Sequence, residues 1–204
     1  MRLSDSHKFV FIANPRCGST SIRAMLDPYA SVRSSDPTSG SWLWHHASAS
    51  RVQEGMRETG RNPEEYFFFT TIRDPWERVA STYRFGLSHS ASGWHPFARD
   101  AGSPDAFVLH PEVTRRLRGF AIDAMGEDES GNMLFDEILP LERLHEVLPP
   151  VIEKLIGQPV LVRHDNTTAQ TGHVFSRDAS QRIEDIFAAD ITIGQYDRPG
   201  SKPL

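Results

Sequence analysis

Residues 8–21, Lys-Phe-Val-Phe-Ile-Ala-Asn-Pro-Arg-Cys-Gly-Ser-Thr-Ser, constrain the fold more than any other part of the chain. The apolar, β-prone run 9–13 reads as a short strand buried on both faces. Asn14-Pro15 ends it, and helical sequence begins near Ser19 with Ser-Thr-Ser-Ile-Arg-Ala-Met-Leu. Between strand and helix lies a tight loop with Arg16, Cys17 and Gly18, followed by the hydroxyls of Ser19, Thr20 and Ser21. Such a loop aims backbone N–H groups and the positive end of the helix dipole at one point. That point suits a phosphate or sulfate, so the expectation is an oxyanion cradle near the start of the chain.

The rest of the chain alternates strand and helix signals. Residues 31–41, rich in Ser, Gly, Pro and Asp, read as a surface loop. Residues 46–59 carry helical spacing, with Ala47, Val52 and Met56 near one face. Residues 66–72, Tyr-Phe-Phe-Phe-Thr-Thr-Ile, form the strongest strand signal and are expected to be central. A helix is expected over 76–85, a long loop over 86–104, and one helix over 105–125. The core candidates on that last helix are Phe107, Val108, Val113, Leu117, Phe120 and Ile122. Short strands are expected at 133–135 and 159–163, and helices at 141–156, stopped by Gly157, and at 179–188. Alternation of this kind implies an α/β fold: three layers, α/β/α, around a mostly parallel sheet, in a single domain spanning 1–204. Ligands of such sheets bind beyond the strand C-terminal ends.

Composition narrows the class of partner. At 204 residues the chain can bury a sizeable core, and a net charge of −5 argues against a nucleic-acid or membrane-surface binder. A polyanionic ligand must therefore meet a local group of arginines. No apolar run is long enough to span a bilayer, and residues 1–8 lead straight into the first strand. With one cysteine, Cys17, no internal disulfide can form, and the expected location is the cytoplasm. His89, His95, His110, His145, His164 and His173 are scattered without ligand spacing, so no metal site is expected.

A second anion-binding element follows the strongest strand. It runs Ile-Arg-Asp-Pro-Trp-Glu-Arg-Val-Ala-Ser-Thr-Tyr, with Arg73 at the strand exit and Ser81 eight positions later, a little over two helical turns. A guanidinium and a hydroxyl so spaced can hold a second phosphate. Two cradles on separate strands point to a nucleoside carrying two anionic groups. Glu77 and Arg78 read as a solvated helix face, and Tyr83 as a half-buried helix residue.

At these two motifs the chain resembles the sulfotransferases that use 3′-phosphoadenosine 5′-phosphosulfate, in particular the branch acting on carbohydrates and other hydroxyl compounds. Asn14-Pro-Arg-Cys-Gly-Ser-Thr-Ser21 is similar to their 5′-phosphosulfate loop, and Arg73-Asp-Pro-Trp-Glu-Arg-Val-Ala-Ser81-Thr-Tyr83 to their 3′-phosphate motif. Weaker similarity extends to Phe135-Asp-Glu-Ile, to His164-Asp-Asn166-Thr-Thr and to Asp190 through Tyr196. The resemblance implies a P-loop-like sulfotransferase fold and a donor bound by Arg16, Cys17, Gly18, Ser19, Thr20, Ser21, Arg73 and Ser81. It also implies a small-molecule or glycan acceptor. Arg16 stands where the family often has lysine, which keeps the charge but not the compact ammonium.

Sulfuryl transfer needs a group that takes the acceptor's proton. Trp42-Leu-Trp-His45-His46-Ala-Ser48 offers two imidazoles, whose ordinary pKa suits that work. The resemblance selects His46 as base, with Arg16 stabilising the leaving phosphate. His45 stays open as the alternative, as does a purely packing role for both. Two other readings compete. Cys17 and Arg23 fit the Cys-x5-Arg spacing of a phosphatase loop, with Asp27 or Asp74 as acid. A nucleotide-binding module without catalysis would keep both arginine loops and dispense with His46. The loop lacks the Gly-Lys pair of a P-loop kinase or NTPase.

Overall fold

The computed structural model describes residues 1–34, 41–159 and 172–199. The expected strand at 159–163 and the stretch His164 to Thr168 lie outside the described residues, apart from Pro159. Contacts gather into two units. The first comprises Met1–Ile72 and the chain from Asp123 to 159, and the second Arg73–Ile122 and 172–199.

The first unit is α/β. Among the described residues its elements are β1 (Arg2–Ser4), β2 (Phe9–Ile12), α1 (Ser19–Leu26), β3 (Val32–Arg33), α2 (Ala49–Glu58), β4 (Phe67–Ile72), β5 (Glu137–Pro140) and α8 (Leu144–Ile156). The strands form one mixed sheet in the order β3-β1-β2-β4-β5. β2 pairs parallel to β4, with Ile12 opposite Thr70, and β4 pairs parallel to β5, with Ile72 opposite Pro140. β1 runs antiparallel to both β2 and β3. The α/β expectation therefore holds, with parallel pairing through β2, β4 and β5 and antiparallel pairing at the other edge.

Strand alternation explains the core. Phe9 and Phe11 of β2 and Phe69 of β4 face one side, where they pack with Ile22 and Leu26 of α1 and Leu144, Leu148 and Ile152 of α8. Fully burying each large side chain contributes about 1.5–3 kcal/mol. Gly157 closes α8 at φ 79°, the left-handed cap expected from its sequence.

Several sequence expectations need correction here. β1 and β3 were not foreseen, and Val32–Arg33 lies in the stretch read as loop, of which 35–40 fall outside the described residues. They are elements of three and two residues, too short to carry a period-2 pattern. The strand expected at 133–135 is a lone bridge from Met133 to Glu127, and the true strand lies at Glu137–Pro140. Asp136 sets its register: its carboxylate accepts the Phe68 N–H at 2.7 Å and its own N–H donates to the Phe68 carbonyl at 2.8 Å. Proline is tolerated at the end of β5, which among the described residues lies at the edge of the sheet.

The second unit is helical among its described residues: α3 (Pro75–Ser88), α4 (His95–Ala101), α5 (Pro104–Leu109), α6 (Pro111–Arg118), α9 (Arg177–Ile186) and α10 (Ala188–Gly194). A short α7 (Ile122–Gly126) spans the boundary at Ile122. Trp76, Val79 and Ala80 of α3 share a core with Phe107, Val108, Val113, Leu117, Ala179, Ile183 and Phe187. The loop expected over 86–104 is instead the end of α3, α4 and their connections, and the single helix expected over 105–125 is three. Prolines are the reason. Pro96, Pro104 and Pro111 each stand in the first turn of a new helix. Pro111 also drives His110 to ψ 125°, which ends the preceding helix. The helix expected over 179–188 divides at Phe187 into α9 and α10. Of the core candidates on 105–125, Phe120 alone is only half-buried.

Candidate functional site

Both central strands deliver chain to the same edge of the sheet. Parallel pairing of β2 with β4 places their C-terminal ends side by side, and the oxyanion loop leaves β2 there. The loop is held in shape from below. Thr70 Oγ1 donates to the Ile12 carbonyl at 2.8 Å, and Thr71 Oγ1 to the Cys17 carbonyl at 2.7 Å. Its backbone is left-handed at Arg16 (φ 62°) and Gly18 (φ 74°). Glycine tolerates that region freely, whereas arginine adopts it at a cost of about 1–2 kcal/mol, so the surrounding bonds must enforce it. A side chain at position 18 would also meet Leu141 Cδ1 at 2.5 Å.

Gly18 is the N-cap of α1 and offers no side-chain cap, and the first turn carries no acidic residue. Neither the N-cap nor the first turn of α1 therefore places a carboxylate against the dipole end. Ser19 is buried, Ser21 half-buried and Thr20 exposed, so hydroxyls flank the amides at several depths. Arg16 is half-buried beside them. Backbone amides, hydroxyls and a guanidinium gathered in one loop are a donor set that fits an oxyanion such as a phosphate or sulfate group.

Cys17 sits differently from a nucleophile. It is 0% exposed, and its Sγ–H donates to the Pro15 carbonyl at 3.4 Å. Arg23, the partner in a phosphatase reading, donates from Nε to the Ser19 carbonyl at 3.3 Å. Burial lowers the Arg23 pKa, the Arg2 charge adds to this, and Asp27 opposes it. The acids that reading would need are engaged elsewhere. Asp27 pairs with Arg2 and Arg33, and Asp74 caps α3 by accepting the Trp76 and Glu77 N–H groups at 2.9 and 3.1 Å.

His46 is brought to the root of the loop, within the same unit. Its Nδ1 lies 2.6 Å from the Ala13 carbonyl. A carbonyl only accepts, so Nδ1 carries the proton and Nε2 holds the lone pair. Burial pushes the His46 pKa down to about 3, against the Ala13 bond, with the positive charges of His45 and Arg23 also lowering it. The ring is therefore neutral at physiological pH, and as packed here it is a weaker base than an ordinary imidazole. His45 and Trp44 pack around it, with ring centroids 4.2 and 5.7 Å away. The bond to Ala13 distinguishes His46 from His45.

The second unit carries Arg73 and Ser81. Both are buried, at 5% and 1% exposure. Pro75 opens α3, and Glu77 and Ser81, four residues apart, share one face of it. Glu77 Oε2 lies 3.6 Å from Arg73 Nη2. The solvated-face reading of Glu77 and Arg78 is corrected by their burial. Arg78 is 1% exposed, and it donates to Asp190 Oδ1 at 3.2 Å and to the Phe120 carbonyl at 2.9 Å. Its guanidinium also stacks on Phe187 at 5.0 Å. Tyr83 is more buried than expected and meets Phe107 edge-on at 5.6 Å.

Sequence reasoning missed two carboxylates in this unit. Glu77 Oε1 accepts the Gly172 N–H at 3.3 Å. Asp105 accepts the Ser176 N–H at 2.7 Å and faces His173 Nε2 at 2.7 Å. No local signal could have exposed either, since their partners lie far along the chain. Among the described residues, no group of three or more His, Cys, Asp or Glu side chains could hold a metal ion, and no helix is long and apolar enough to cross a membrane. Set against known family models and against curated proteins, the chain matches none.

Proposed function

We propose that this protein is a sulfotransferase that moves a sulfuryl group from 3′-phosphoadenosine 5′-phosphosulfate to a hydroxyl of a carbohydrate or small metabolite. The observation that carries the reading is the pairing, in one unit, of an uncapped anion loop with a neutral imidazole at its root. Arg16, the amides of Cys17 and Gly18, and Ser19, Thr20 and Ser21 would hold the 5′-phosphosulfate. Arg73 and Ser81 would hold the 3′-phosphate. When bound, the donor supplies the sulfuryl group and a phosphate leaving group.

The chain's own residues do the rest. His46 Nε2 takes the proton of the acceptor hydroxyl, while Ala13 holds the ring in the competent tautomer. Charge on the 5′-phosphate is met by Arg16 and by amides already oriented before reaction. The proposal includes the three-layer sulfotransferase-type fold and a cytoplasmic location.

The test has three arms. First, thermal melting with adenosine 3′,5′-bisphosphate and with ATP should show a stabilising shift for the bisphosphate that ATP does not match. Second, sulfate-labelled donor with a panel of hydroxyl acceptors should label at least one, and His46→Ala should abolish labelling while still binding the bisphosphate. A His46→Ala variant with full transfer would refute the assignment of the base. Third, Cys17→Ser should keep transfer, whereas a phosphatase would lose its activity.

A further inference from the structure

We infer that Glu77 is the positioning residue of the 3′-phosphate site: it orients the Arg73 guanidinium and is itself fixed by the Gly172 amide. This inference rests on the sulfotransferase reading above. Arg73 has a side chain only 6% exposed, and its charge would be costly to bury without a counterion. Glu77, 15% exposed, supplies one at 3.6 Å from Nη2. Its other carboxylate oxygen, Oε1, accepts the Gly172 N–H at 3.3 Å. One carboxylate thus divides its oxygens between the arginine and the backbone of a distant segment.

That segment is anchored a second time within the unit. Asp105, in the first turn of α5, accepts the Ser176 N–H at 2.7 Å and faces His173 Nε2 at 2.7 Å, and Phe175 is buried in the helical core. Gly172 is therefore not a free end swinging against Glu77. It comes from a stretch tied down over five residues, and it limits the rotamers open to the carboxylate. Asp74 adds a further restraint by fixing the first turn of α3, where it accepts the Glu77 N–H at 3.1 Å. A guanidinium binds phosphate well only when its fork is presented in plane. Holding one edge of the fork against Glu77 leaves its direction set before ligand arrives, which lowers the ordering cost of binding.

The alternative is that Glu77 acts only as a counter-charge, which would make it a hindrance to any phosphate nearby. The two roles differ in sign. Positioning predicts that removing the carboxylate weakens 3′-phosphate binding, and a pure counter-charge predicts that it strengthens it.

The experiment measures binding of adenosine 3′,5′-bisphosphate and of adenosine 5′-phosphate, which lacks the 3′ group, to wild type, Glu77→Gln and Glu77→Ala. Glu77→Gln keeps an acceptor for Gly172 and removes the charge. Expected is a loss of about tenfold for the bisphosphate in both variants, with binding of the 5′-phosphate changed less than about twofold. Equal or tighter bisphosphate binding, or the same loss for both nucleotides, would overturn the inference. A wild-type protein that prefers the bisphosphate while Glu77→Gln retains that preference sinks the inference alone. A wild-type protein with no preference for the 3′-phosphate sinks the sulfotransferase reading, and the role of Glu77 with it.

Discussion

Asp190→Ala should strongly destabilise this protein. Asp190 is 0% exposed and Arg78 1%. The carboxylate accepts from Arg78 at 3.2 Å through Oδ1 and from the Ile122 N–H at 2.8 Å through Oδ2. Truncation removes the counter-charge of a buried guanidinium and the acceptor of a buried amide. Breaking a buried pair in this way costs about 3–5 kcal/mol. For a protein of this size each kcal/mol moves Tm by about 2–4 °C, so the midpoint should fall by roughly 6–20 °C. Thermal and urea denaturation followed by circular dichroism measure it. Replacing both partners at once, Arg78→Met with Asp190→Leu, should recover most of the loss, because neither member is then left charged and alone. An Asp190→Ala variant that loses less than about 1 kcal/mol would refute the reasoning. The point bears on function as well. Arg78 belongs to the motif that resembles a 3′-phosphate site, so an Arg78→Ala variant would lose activity. On the present geometry that loss reflects the folded fraction, and activity per folded molecule should change little.

Three further outcomes are expected. Gly18→Ala should cost about 1–2 kcal/mol from the left-handed φ, read by denaturation, and adding Leu141→Ala should relieve the 2.5 Å contact but not the backbone strain. Thr71→Val removes the hydroxyl that holds the Cys17 carbonyl; it should cost about 1 kcal/mol and speed hydrogen exchange of the loop amides, and unchanged exchange would count against the buttress. His46 binds its proton in the unfolded chain below pH 6.5 but in the fold only near pH 3. Unfolding therefore takes up a proton in that window, so the His46 contribution to stability should be flat above pH 6.5 and fall as pH drops from 6.5 towards 3. A separate fall comes from the buried Met1 amine, whose pKa is lowered from 8.0 to about 4. His46→Gln should flatten the His46 fall in a urea titration repeated across pH, and an unaltered pH dependence would contradict the burial of the ring.

Elements with strong local signals were legible in the residues alone. β2 is a continuous apolar run and β4 a run of aromatic and β-branched residues, α1 begins where glycine and hydroxyls follow the strand, and α3 opens on Asp74-Pro75, a cap and a helix-starting proline. These preferences arise from sterics and hydrogen bonds within a few residues, so they survive without knowledge of the rest of the chain. The short strands β1 and β3 lacked that support, because two or three residues become a strand only when a neighbour supplies the ladder. The short helices were hidden for the opposite reason: prolines at each start broke a pattern that looked continuous or absent.

Packing decided the chemistry of individual side chains. Arg78 reads as an exposed helix residue until Asp190, 112 positions away, closes over it. His46 reads as one of two equivalent imidazoles until Ala13, 33 positions back, takes its Nδ1 proton in a hydrogen bond. Glu77 gains its double attachment only when Gly172 returns to α3. Local backbone geometry follows from each residue's immediate neighbours, whereas burial, tautomer and charge pairing depend on which distant groups exclude water from a site. That is why the loop and helices could be read along the chain, and the states of the groups that would act there could not.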